Sequence, residues 1–269
     1  MPENKLVEYK QFDGITSEVL RTGIGLFSFA IIALGIETLL CAGYESISPG
    51  SSQFVVPVIP WLPVIPWAAY IVGIIWILCG IGLLSKKTLR SSAIVIGSLM
   101  FLLTLFLDVP RNAANIAGIS LRTRVFEPFT IASIALLLPR KDAVPGYIIR
   151  GSHLLLALSL IVFGVDHFLA LKFIATLIPV WIPWHEFWVA FFGAGLVAAG
   201  LSIGINLLAR WVYVLTGIMF GIWVITLHLP RTLGLYGIPG ARNDPNEWSS
   251  LFIAVAIWGG LWALAYVKD

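Results

Sequence analysis

Asp166, His167 and His228 are ionisable residues set in long apolar stretches, and Arg231 follows His228 across a Leu-Pro step. An Asp beside an Arg keeps its charge, and a His between them switches protonation near neutral pH. Such a group fits a small oxyanion or a quinone carbonyl, with His228 and Asp166 as the catalytic pair and His228 passing the proton. His167 and Arg231 would bind the ligand, because Pro230 turns the chain and lets Arg231 fold back. Arg242 and Glu247 would close the pocket from the following loop. The rival reading uses the same residues as internal glue between helices, with Arg231 paired to Asp166 or Glu247.

A second set in the first half matches this one. Shifting the chain by 120 lays Trp61, Pro63, Gly73, Gly80, Arg90 and Gly97 on Trp181, Pro183, Gly193, Gly200, Arg210 and Gly217. The register continues with Pro110, Arg111, Arg122 and Glu127 on Pro230, Arg231, Arg242 and Glu247, and Asp108 falls on His228. Upstream the shift is 129, which pairs Glu37 with Asp166. Glu37, Asp108, Arg111, Arg122 and Glu127 therefore form a degenerate counterpart of the candidate site. All four histidines lie after residue 150; His167, His185 and His228 sit on three different helices, without H-x3-H or E-x-x-H spacing, so no metal site is expected. Cys41 and Cys79 are expected as inert thiols near opposite ends of neighbouring spans.

The elements that position these residues follow from composition. Hydrophobic residues make up 59% of the 269 and charged residues only 12%, with mean hydropathy +0.94. A soluble domain carries about 25% charged residues. The apolar runs are continuous, which selects helices as the spanning structure. Spans are expected at 22–43, 64–84, 90–109, 126–139, 148–171, 186–207, 210–229 and 248–267. The fourth is short, so it either thins the bilayer or extends past these bounds. The expected fold is all-α: a polytopic membrane protein of eight transmembrane helices in two parallel-repeat four-helix bundles, residues 22–140 and 147–267, after a cytoplasmic segment 1–21. With the N-terminus inside, eleven Lys and Arg fall on the inner side and six on the outer, which favours both termini in the cytoplasm and an inner-membrane location. No basic tract of the kind that grips nucleic acid is present. Four outer arginines recur in both halves, against the positive-inside trend, and they call for a cause.

The run GVDHFLALKF, then PVWIPW, WVAFFGAGLVAAGLSI, Arg210 and HLPR, resembles the DoxX-like membrane proteins. The resemblance covers about 110 residues of the second half. The first half is more divergent, with Thr38 and Asp108 where the second half has His167 and His228. The resemblance implies four-helix units and a membrane subunit linked to redox chemistry, with a quinone or small anion near the outer face. It equally implies a non-catalytic assembly or scaffold protein that joins other membrane subunits. A small-solute transporter is a further class, since parallel repeats occur there too. No nucleophile with an adjacent base is present, so catalysis itself stays open.

Overall fold

The computed structural model describes residues 3–41, 66–112, 118–139, 144–237, 242 and 244–267. Pro57, Pro60, Trp61 and Pro63 lie outside them, as do Arg140, Lys141 and Lys268. The described residues are helices and turns, with no strand. The helices are α1 (Glu3–Cys41), α2 (Pro66–Leu83), α3 (Leu89–Leu103), α4 (Val109–Asn112), α5 (Ile119–Leu137) and α6 (Gly146–Leu169). They continue with α7 (Leu171–Ala175), α8 (His185–Gly204), α9 (Ala209–Trp223), α10 (Leu229–Thr232) and α11 (Pro245–Leu264).

Six helical stretches are long and apolar enough to cross a membrane: Glu18–Cys41, Leu89–Asp108, Gly146–Leu169, His185–Gly204, Arg210–Thr232 and Asn246–Leu264. The protein is a multi-pass membrane protein. Its outward faces agree: on α2 the exposed residues Trp67, Tyr70, Ile71, Ile74, Leu78 and Ile81 recur at helical spacing. A stripe of that kind is a liability in water and is covered by lipid tails in a bilayer. Two expected spans fall outside the six. The apolar part of α2, Trp67–Leu83, is short, and α5 carries Arg122, Arg124 and Glu127 in its first turns. α5 starts at Ile119, well before the expected residue 126.

The helices form a closed order. α1 packs against α2, α2 against α3, α3 against α5, α5 against α6, α6 against α8, α8 against α9, α9 against α11, and α11 returns to α1. α5 and α11 also touch each other in the middle. Each therefore contacts helices of both halves, and the extensive neighbours of α1 are α2 and α11. Burial follows this order. Every residue from Phe129 to Ala135 on α5, and from Ile253 to Ile257 on α11, is buried. Burial on all faces marks a helix wrapped by others.

Glycines set the closest crossings. A methyl group placed at Gly164 would lie 2.6 Å from the Gly193 carbonyl oxygen, and one at Gly35 would lie 2.8 Å from that of Gly73. Backbone thus meets backbone at α6/α8 and α1/α2. The α1/α2 contact is reinforced by the Ser28 hydroxyl, which donates to the Gly80 carbonyl at 2.5 Å. The glycines seven apart, Gly73 with Gly80 and Gly193 with Gly200, do lie on packing faces.

Candidate functional site

α3 and α9 end alike, and a proline explains why. Each helix widens into a π turn, Thr104–Asp108 and Val224–His228, followed by a proline two residues on. A proline ring clashes with the carbonyl four residues back and has no N–H to offer it. The π turn takes up the strain: the N–H of Val109 reaches the Thr104 carbonyl and the N–H of Leu229 reaches that of Val224, five residues back in both cases. The Thr226 carbonyl, four residues before Pro230, is left without its helical donor. The Tyr236 hydroxyl donates to it at 2.5 Å. Asp108 and His228 close these two π turns, at the end of the helices where the polar residues gather.

Asp166 is 4% exposed on the last turns of α6. Its Oδ1 accepts from Arg122 of α5, at 2.9 Å from Nε and 2.5 Å from Nη2. Oδ2 is buried without a hydrogen-bond partner. Next to it, His167 directs Nδ1 to the Phe163 carbonyl at 2.7 Å. If that nitrogen carries the proton, Nε2 keeps its lone pair. The His167 side chain packs against α8 at Gly193.

Arg231, on α10, is held by Glu247 on the first turn of α11. Its Nε lies 2.7 Å from both carboxylate oxygens, and the neighbouring Thr232 hydroxyl donates to the Glu247 carbonyl at 3.1 Å. Arg242 donates from Nε to the Leu233 carbonyl at 2.5 Å, while its own carbonyl accepts from Trp248 Nε1. Gly234, with φ +68, sits beneath the Arg242 side chain; a left-handed backbone there favours glycine. The α11 N-terminus is finished by Asp244, whose side chain accepts from the Asn246 N–H at 2.9 Å, with Pro245 as first helical residue.

In the first half, Glu37 is 7% exposed on α1 and its Oε1 accepts from the Ser249 hydroxyl of α11. Glu37 Oε2 and Glu127 Oε2 are buried without a partner. Asp108 is half-buried at the end of its π turn. The side chain of Arg111 lies outside the described residues.

The structure therefore brings together Asp166 with Arg122, Arg231 with Glu247, and Glu37 with Ser249. His228 stands near Arg231, and His167 stands beside Asp166. Asp166 is joined to the other half of the chain through Arg122, a residue the sequence placed in the degenerate set. Ser249 carried no signal, since the residue 120 earlier is Phe129. His185 lies apart, with Nε2 3.2 Å from the Pro179 carbonyl at the start of α8. Among the described residues no group of three or more His, Cys, Asp or Glu is placed to hold a metal ion. Neither cysteine is in a disulfide; Cys41 is buried and Cys79 half-buried.

No family model, no curated protein and no solved structure matches this chain.

Proposed function

We propose that this chain is a DoxX-like membrane scaffold: a non-catalytic assembly subunit of eight spans in two parallel repeats, docked among other inner-membrane proteins. The observation that carries this reading is the state of the outer arginines. Arg122 is bound by Asp166 and Arg231 by Glu247, both inside the chain. An arginine whose charge is already matched by a carboxylate inside the chain is less available to an anionic substrate. Arg122 and Arg231, two of the arginines that run against the positive-inside trend, then act as cross-braces between helices. The repeat is supported by the π turns, which begin at Thr104 and Val224, 120 residues apart (224 − 104), as the sequence register has it.

Mild-detergent purification of the native protein tests the function. Stoichiometric partner proteins without a bound small molecule are the expected result. An isolated chain that retains quinone would overturn it. That outcome belongs to the second reading, a redox-linked subunit using Asp166, His167, His228 and Arg231, which is favoured by the unpartnered Oδ2 of Asp166 beside His167.

Topology is tested separately. With Cys41 and Cys79 replaced, cysteines engineered near Ser51 and Gly240 are expected to react with an impermeant reagent from outside. Reaction at Lys87 instead would reverse the orientation.

A further inference from the structure

Glu37 and Asp166 occupy matching places on α1 and α6, and each is more than nine-tenths buried. Their surroundings differ in one respect. Asp166 faces the guanidinium of Arg122, whereas Glu37 faces the hydroxyl of Ser249. Arg242, which matches Arg122 by sequence, is exposed and turned to the Leu233 carbonyl. α1 packs against α2 and α11, and neither carries a Lys, Arg or His. The ionisable groups on these two helices are Tyr70, which is exposed, Cys79, which is half-buried, and Glu247, which is taken by Arg231. On α1 itself, Arg21 and Glu18 lie about four and five turns away at the other end of the span. Among the described residues, an anion at Glu37 would thus have one hydroxyl donor and no counter-charge on the helices packed against it. A buried carboxylate in that position neutralises itself.

We propose that Glu37 is a proton-binding site: it holds its proton as the neutral acid between α1 and α11, while Asp166 stays ionised against Arg122. Oε1 keeps the Ser249 bond as the acid's carbonyl oxygen, and the proton resides on Oε2, whose buried position holds no other partner. The two halves then carry one acid each in opposite charge states, which removes Glu37 from the role of a mere degenerate copy. The proposal does not depend on the scaffold reading.

Infrared spectroscopy of the full-length protein in lipid, with 13C-labelled glutamate, reads the charge state directly. At neutral pH the wild type is expected to show a carboxylic-acid C=O stretch that shifts with the label. Glu37→Gln should remove one carboxyl's worth of it. Ser249→Ala should keep that band but raise its frequency, because the hydrogen bond to the carbonyl oxygen is gone. Identical spectra for wild type and Glu37→Gln would overturn the proposal. Should Glu37→Gln fail to fold, an unmoved band in Ser249→Ala would overturn it equally.

Discussion

Asp166→Asn is expected to lower the stability of the folded protein by about 3 kcal/mol, the lower end of the range for breaking a buried ion pair by removing one partner. The amide keeps the shape of the side chain and removes its charge. Arg122 is about one-fifth exposed, so water screens part of the loss, and the estimate is set low for that reason. The larger share of the effect is the cation left behind at the α5/α6 contact. Thermal or denaturant unfolding in detergent measures it, and a companion variant gives the cause. Combining Asp166→Asn with Arg122→Met removes both charges while keeping an unbranched apolar stem, and most of the lost stability should return. Buried pairs replaced by apolar groups are often neutral or better. A double variant as unstable as the sum of the singles would exclude this account. A stable Asp166→Asn protein that has lost a bound small molecule would also favour the redox-linked reading over the scaffold.

The second large effect is expected at the helix crossings. Gly164→Leu should prevent assembly of the folded protein, and Gly164→Ala should already cost about 3 kcal/mol, the upper end for overpacking. The added carbon would sit 2.6 Å from the Gly193 carbonyl oxygen and 2.8 Å from the Val197 nitrogen. Both are backbone atoms, so no rotamer change makes room and α6 must move away from α8. Gly35→Ala should behave similarly, since it meets the Gly73 carbonyl oxygen and the Ile77 nitrogen. Gly25 and Gly151 provide the control, with nothing within 4 Å of an added carbon. Gly151→Ala should be neutral or gain up to about 1 kcal/mol from helix propensity alone. The yield of monodisperse protein and its unfolding midpoint report the contrast. Equal behaviour of Gly164→Ala and Gly151→Ala would show that the close approach is not what the glycines are for.

The helices were legible in the sequence where hydropathy alone decides them. α8 and α9 start within a residue of expectation, because a long apolar run follows directly on the ionisable residues His185, Glu186 and Arg210 at their starts. The start of α5 was missed by seven residues (126 − 119), and pairing is the reason. Arg122 and Arg124 read as loop charges on any hydropathy scale. A helix takes Arg122 in because Asp166 on another helix neutralises it, and a one-dimensional scale cannot include that partner. The polar N-terminal segment was read as preceding the first span, and the apolar span does begin at Glu18, although the α1 helix itself extends back to Glu3. The candidate site was legible as a set of residues, and its pairings were only partly so. Arg231 with Glu247 was among the pairings weighed, since the two lie 16 residues apart along one connection. Arg122 with Asp166 depends on α5 lying beside α6, which is a matter of helix order and leaves no trace in spacing. The π turns were announced only by Pro110 and Pro230, residues that more often end a helix than widen it.

The closed order of helices, with α11 returning to α1, has a consequence for how the chain is made. Ser249 is synthesised 212 residues after the Glu37 it bonds. Translation delivers α1 to the membrane first and its main partner last. Until then α1 has α2 as its main partner, through the close glycine crossing and the Ser28–Gly80 hydrogen bond. When α5 has just emerged, Arg122 is in place and Asp166 has yet to be made, so the nascent protein lacks both the α5–α6 ion pair and the Glu37–Ser249 bond. A ribosome stalled between α5 and α6 would leave both of these joints unmade in the bilayer, a product suited to insertases and membrane proteases. The polar residues that lock the finished molecule thus also label the unfinished one.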